Sequence, residues 1–277
     1  MKIRNHRLIQ DDGSSFPYQA SPNKGGALQP RWLVMHYTAG GGAEGSIRWL
    51  VDPLAKASAH LVIGRDGGIT QLVPFNVVAW HAGASSWQGV SGLNQYSIGI
   101  ELDNVGRLEH IAGKWVSPLK IVVPDDQVRV ANHKNDAPGT PPSGWQTYTP
   151  EQIDAAFRVA QVLIAQYELQ DLIGHDDIAP GRKNDPGPDF PMASLRGRLY
   201  GRQSDADLPV LISAAALNVR AGPGAEHAIL PGSPIPAGTR ARALEQSGLW
   251  WKVDVLDEVN GVMDLVGWCH GRYLRAA

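Results

Sequence analysis

The sequence predicts an α/β or α+β fold over its first two hundred residues, followed by a small all-β module. Three observations carry this. Short apolar, strand-like runs alternate with helix-like segments up to about residue 200. One of those helices carries a complete start signal. Beyond Pro209, only short alternating runs and turns remain. The chain of 277 residues is long enough for one sizeable core and a smaller second domain.

Each element follows from local pattern. Arg31 to Thr38 (RWLVMHYT) is a short apolar run that reads as a buried strand ending at His36. Ser46 to Asp52 reads as a short helix with Ser46 as N-cap and Pro53 as its stop. Two apolar runs flank Asp66-Gly67-Gly68 between His60 and Pro74, a hairpin signal. Ser97 to Asn104 alternates around Ile98, Ile100 and Leu102, which predicts another strand. Thr149 with Gln152 forms a capping box, Pro150 takes the first helical position, and Ile153, Phe157, Ala160, Ile164 and Tyr167 mark one apolar stripe. Leu172 to Gly174 is a brief strand leading to His175. Val105 to Tyr148 reads as a long polar segment, rich in proline and glycine, draped over the surface beside a cleft. Residues 201–208 read as a linker between a domain over 1–200 and one over 209–277. In the latter, Leu217 and Val219, the Ala221–Gly224 turn, the alternation of Trp251, Val253 and Val255, and Val266–Cys269 predict a small barrel.

Composition removes several function classes. A formal net charge of -2 without any basic run gives no expectation of a nucleic-acid partner. The nine tryptophans read first as core anchors, with sugar stacking as the other use. Cys269 is the only cysteine, so no intramolecular disulfide forms, and its alternating apolar surroundings place it in the small barrel's core. No apolar run has the length of a membrane span. The stretch MKIRNHRLIQDDGSSF lacks the apolar core of a secretory signal, so the expectation is work in the cytoplasm or export by another route.

The chemistry must come from histidines and carboxylates. There is no G-x-S-x-G elbow, Walker loop or dinucleotide fingerprint. His36 and His175 both end short apolar strands, and with one carboxylate they would give zinc three ligands and an open fourth position. Asp185 is favoured by Pro186 and by the stiff PGP behind it, and an extended chain projects Lys183 to the same side. Spacing alone does not separate Asp185 from Asp177 or Asp189, and His60 and His81 remain rival ligands. Glu101 should project from the side of its strand opposite Ile100 and Leu102, either into solvent or toward a metal as general base.

Taken together, VMHYTAG, SAHLVIGRDG, VAWHAG, NQYSIGIEL and GHDDIAPGRKNDPGP resemble, in order, the zinc amidases of the N-acetylmuramoyl-L-alanine amidase type 2 family. The resemblance covers roughly Arg31 to Leu199, less the middle segment. It implies an α/β domain with a mixed central sheet flanked by helices, and hydrolysis of the amide between N-acetylmuramic acid and L-alanine in peptidoglycan or muropeptides. It also implies zinc ligands at His36, His175 and Asp185, a catalytic glutamate at Glu101 and an active-site lysine at Lys183. Trp80, His81 and Asn94 become candidates for substrate contact. The phage-type branch has cysteine and tyrosine where this chain has Asp185 and Ala59, so the aspartate-and-glutamate branch fits. LNVRAGPG, LWWKVDVL and VGWCHGRYL resemble a bacterial SH3-like domain, a module often attached to cell-wall hydrolases. That favours polymeric cell wall, periplasmic or extracellular, as substrate by analogy. The missing signal favours the alternative, cytoplasmic recycling of soluble muropeptides, or a lysin or effector delivered by another route. The alternative in another class is a non-catalytic peptidoglycan-binding protein, against which the complete ligand set argues.

Overall fold

The computed structural model describes residues 1–200, 209–262 and 265–276. The chain divides into two compact units, Met1–Leu199 and Tyr200–Ala277. The segment expected to be a linker lies outside the described residues.

The centre of the first unit is a five-stranded mixed sheet. Its spatial order is Asp171–Gly174, Trp32–Tyr37, Ser97–Leu102, Leu61–Ile63 and Ile69–Gln71. The first four strands pair in parallel, and the last closes an antiparallel hairpin. Trp32–Tyr37 and Ser97–Leu102 are buried on both faces, as parallel strands covered on both sides must be. Glu101 pairs directly with His36, so the two side chains leave neighbouring strands on the same face. Trp32 and Val34 pack on Ile173 and Ile178. Val62 packs on Ile47 and Leu50 of the first helix.

That helix is Ala43–Val51, three residues earlier than the Ser46 start the sequence suggests. Gly42 is its N-cap, and Ser46 lies inside, its hydroxyl donating to the Gly42 carbonyl at 3.1 Å. A serine that bonds back to the preceding turn satisfies itself without capping anything. The long helix Pro150–Tyr167 has the expected capping box, but its buried stripe is rotated from the expected one. Ala155, Ala156, Val159 and Leu163 face inward together with Ala160, while Ile153, Phe157, Ile164 and Tyr167 are only half-buried. Gln152 shows why: it is fully buried because its amide donates to the Asp103 carbonyl at 2.8 Å. One polar contact thus turns the helix away from its most apolar line.

The segment 105–148 is not a surface drape. It folds into a second, antiparallel sheet ordered Val122–Val123, Lys114–Val116, Arg107–Ile111, Ser143–Gln146 and Val128–Ala131. Ala112 and Gly113, both with positive φ (50° and 77°), form the tight turn joining two of its strands. Alanine in the first of those positions hides the turn signal that asparagine would have given.

The second unit holds a five-stranded antiparallel sheet ordered Val266–His270, Trp250–Val255, Arg240–Ser247, Val210–Ser213 and Leu274–Ala276. Val219, Ile235, Val253, Val255 and Cys269 form its core. Leu217 and Val219 are buried but form no strand; Leu217 makes a single bridge to Ile235. No helix among the described residues is long and apolar enough to cross a membrane.

His60 fastens the hairpin to the central strand. Its Nδ1 accepts from the Gly99 N–H and its Nε2 donates to the Val77 carbonyl, both at 3.0 Å. Burial lowers its pKa from 6.5 to about 4, outweighing the opposing bond to Val77. The folded value lies below the unfolded one, so stability is full above pH 6.5 and falls as the pH drops toward 4. Replacing His60 by Asn should flatten the slope of unfolding free energy against pH in that window by about 1.4 kcal/mol per pH unit. Denaturant melts of the two proteins across the window measure the difference.

Candidate active site

The site is built where two parallel strands end. His36 sits near the end of its strand. His175 follows directly on Asp171–Gly174 and, instead of closing that strand, begins the one-turn helix His175–Ile178. The chain then doubles back. Arg182 and Lys183 both donate their backbone N–H to the Ala179 carbonyl, and the Asp176 N–H donates to the Asp185 carbonyl at 2.8 Å. This closed loop brings Asp185 back beside His175.

Three side-chain atoms converge there. His36 Nδ1, His175 Nδ1 and Asp185 Oδ2 lie 2.9 Å from one another in every pairing. All three residues are buried. His175 donates its Nε2–H to the Ala82 carbonyl at 3.1 Å, which leaves its Nδ1 as a bare lone pair. Burial, then the neighbouring imidazole of His175, lowers the His36 pKa to about 4, so His36 is a neutral imidazole at physiological pH. Two imidazoles and a carboxylate, facing one another without room for a proton at every pair, fit a divalent metal. They form the only His/Cys/Asp/Glu cluster of that kind among the described residues.

A cavity of about 370 Å³ opens onto these atoms. Glu101, Lys183, Trp80 and His81 also line it, so of the site residues that the resemblance implies only Asn94 stays out, and the rival candidates His60, Asp177 and Asp189 lie outside it too. Asn94 is used elsewhere: its Oδ1 accepts from the backbone N–H of His81 and Ala82 at 2.9 and 2.7 Å. Glu101 Oε2 is sealed from solvent and has no hydrogen-bond partner. Burial pushes the Glu101 pKa well above the ordinary carboxylate range; Asp185 adds to this and Lys183 opposes it. An unpartnered buried carboxylate beside a metal-type cluster is poised to take a proton.

Two cavity residues escaped the sequence reading. Arg182 donates to the carbonyls of Ala82 (2.9 Å) and Ala84 (2.6 Å), holding the loop that carries His175's acceptor. Trp49 stands at the rim, 59% exposed although it sits in an amphipathic helix. A tryptophan off the apolar face of its helix was the available signal.

The ligand-bearing segment is also fastened from outside by residues 129–148. His133 Nε2 lies 2.9 Å from Asp176 Oδ2, and Asn135 donates to the Asp176 carbonyl at 2.8 Å. The Tyr148 hydroxyl donates to the Pro186 carbonyl at 2.8 Å, and Arg129 to that of Pro188 at 2.9 Å. Asp176 is therefore buried and paired. Asp177 accepts from the Gly174 N–H and Asp189 from the Tyr148 N–H, so neither faces the metal-type cluster.

Over 183 residues the chain is 34% identical to the N-acetylmuramoyl-L-alanine amidase AmiD of Escherichia coli, covering 63% of this chain and 55% of AmiD. Over 143 residues it is 35% identical to the 1,6-anhydro-N-acetylmuramyl-L-alanine amidase AmpD of Citrobacter freundii, covering 51% of this chain and 56% of AmpD. The chain thus spans about half the length of these curated relatives. A solved complex of E. coli AmiD with its substrate anhydro-N-acetylmuramic acid-L-Ala-D-γ-Glu-L-Lys superposes with a TM-score of 0.46 at 31% identity, covering 68% of this chain and 63% of that one. The family model described as N-acetylmuramoyl-L-alanine amidase (Amidase_2) matches residues 26–188, more than half of the sequence, and the chain belongs to that family.

Proposed function

We propose that this chain hydrolyses the amide between the lactyl group of N-acetylmuramic acid and the L-alanine of a stem peptide, using zinc held by His36, His175 and Asp185. The observation that carries the reading is the convergence of those three acceptors beside the unpartnered carboxylate of Glu101, in a member of this family. The Met1–Leu199 unit is the amidase domain, and the sheet of the second unit belongs to an SH3-like module. The names of AmiD and AmpD support muropeptide as the substrate class.

Zinc at this site would supply a Lewis acid and a water molecule of lowered pKa. Glu101 Oε2 accepts a proton from the attacking water as its oxygen bonds to the carbonyl carbon. As the carbon–nitrogen bond breaks, Glu101 returns that proton to the departing alanine amine. Lys183, on the same cavity wall, faces the negative charge that develops on the former carbonyl oxygen. Trp80 forms wall against which the sugar or peptide lies. The buried setting of Glu101 suits this role, because a carboxylate of raised pKa is a stronger base when ionised.

Removing zinc with a chelator should abolish release of stem peptide from purified peptidoglycan, and added zinc should restore it. Binding to sacculi without any such release would show a non-catalytic binder instead. Glu101→Gln should keep its zinc and lose about a hundredfold or more in turnover. Turnover unchanged from wild type would remove Glu101 from the mechanism. Side-by-side rates on intact sacculi and on soluble anhydro-muropeptides decide where the enzyme works: faster release from sacculi places it on the cell wall, and the reverse places it in recycling.

A further inference from the structure

His36 and His175 are held differently by what lies behind them. His175 turns its second ring nitrogen to a backbone carbonyl, the usual arrangement for a metal ligand. His36 turns its Nε2 to another imidazole, with His81 Nδ1 3.0 Å away. Which ring carries the proton in that pair decides whether His36 can bind a metal.

The far side of His81 settles it. His81 Nε2 faces the Ser97 carbonyl oxygen at 3.3 Å, an atom that can only accept. The Ser97 hydroxyl, 3.4 Å away, donates its own proton to the Leu93 carbonyl at 2.6 Å and has none for His81. A neutral imidazole has one N–H, so in His81 it sits on Nε2. Its Nδ1 is then an acceptor, His36 donates Nε2–H to it, and His36 Nδ1 is left as a lone pair directed at His175 and Asp185.

We propose that His81 is a positioning residue which fixes His36 in the Nε2-protonated, metal-ready tautomer, and that it does not contact substrate. Both of its ring nitrogens are committed and the residue is 8% exposed. Its own placement is enforced from two sides. Asn94 Oδ1 holds its backbone N–H. Gly99, on the Glu101 strand, leaves room for the ring: a Cβ there would come within 2.4 to 2.8 Å of His81 Cγ, Nδ1 and Cδ2. Gly99 is thus needed for close approach, and Asn94 serves the metal site without lining its cavity.

The inference rests on the zinc reading above, and two measurements separate their fates. Nitrogen-15 NMR of ring nitrogens in the metal-free wild-type protein at neutral pH should show His36 protonated at Nε2 and bare at Nδ1. A proton on His36 Nδ1 overturns the proposal, whatever the protein does with zinc. Competition with a chromogenic chelator then measures zinc affinity. His81→Phe should bind zinc about ten- to a hundredfold more weakly than wild type, while His81→Asn, which keeps an acceptor near the Nδ1 position, should recover most of the loss. Gly99→Ala should weaken zinc too, with every imidazole still present. Wild-type affinity in His81→Phe overturns the positioning role alone. A wild type that takes up no zinc overturns the metal reading, and the NMR result still judges the tautomer.

Discussion

Three lone pairs turned toward one another are what the rest of this molecule has to hold in place. His36 Nδ1, His175 Nδ1 and Asp185 Oδ2 all accept, all are buried, and all point at one spot. A buried acceptor left unpaired costs about 1–3 kcal/mol, so without a cation the arrangement works against folding. The opposing forces are strand pairing that fixes His36 and Glu101 side by side, and a loop whose own backbone bonds return Asp185 to His175. A site that is destabilising when empty and satisfied by a cation has affinity built into its geometry.

The two sheets of the first unit divide that task. The central sheet sets register: a slip of one residue would turn Glu101 away from His36 and bury neither correctly. The inserted antiparallel sheet contributes no ligand. Its edge and loops supply His133, Asn135, Arg129 and Tyr148, which grip the segment 176–188 through backbone carbonyls and the Asp176 carboxylate. That segment is thus held on its outer side by a second layer of structure as well as by its prolines.

Much of the site was legible in the sequence because its signals are local. A histidine at the end of an apolar run, a capping box and an Asp-Gly-Gly turn each act within a few residues, and each has the predicted neighbours here. What was illegible depends on partners far along the chain. Asp176 is buried by His133, 43 residues earlier. The helix Pro150–Tyr167 turns on its axis because Gln152 answers a carbonyl at Asp103, 49 residues away. The inserted sheet was hidden by short strands, prolines and an Ala-Gly turn. Local spacing favoured Asp185 without separating it from Asp177 and Asp189, and the family resemblance was needed to choose. The structure supplies a physical separation, since those two carboxylates are occupied by the Gly174 and Tyr148 N–H groups.

His36 stands 139 residues before His175 and 149 before Asp185. Contacts so distant in the chain form late, after the closure entropy of the intervening stretch has been met by other structure. A nascent chain that has left the ribosome as far as the helix Pro150–Tyr167 carries His36, Glu101 and most of the central sheet, yet neither His175 nor Asp185. Assembly of the His36, His175 and Asp185 cluster therefore waits until nearly all of the first unit has been made. A cluster assembled this way is incomplete until Asp185, the most C-terminal of its three members, is in place.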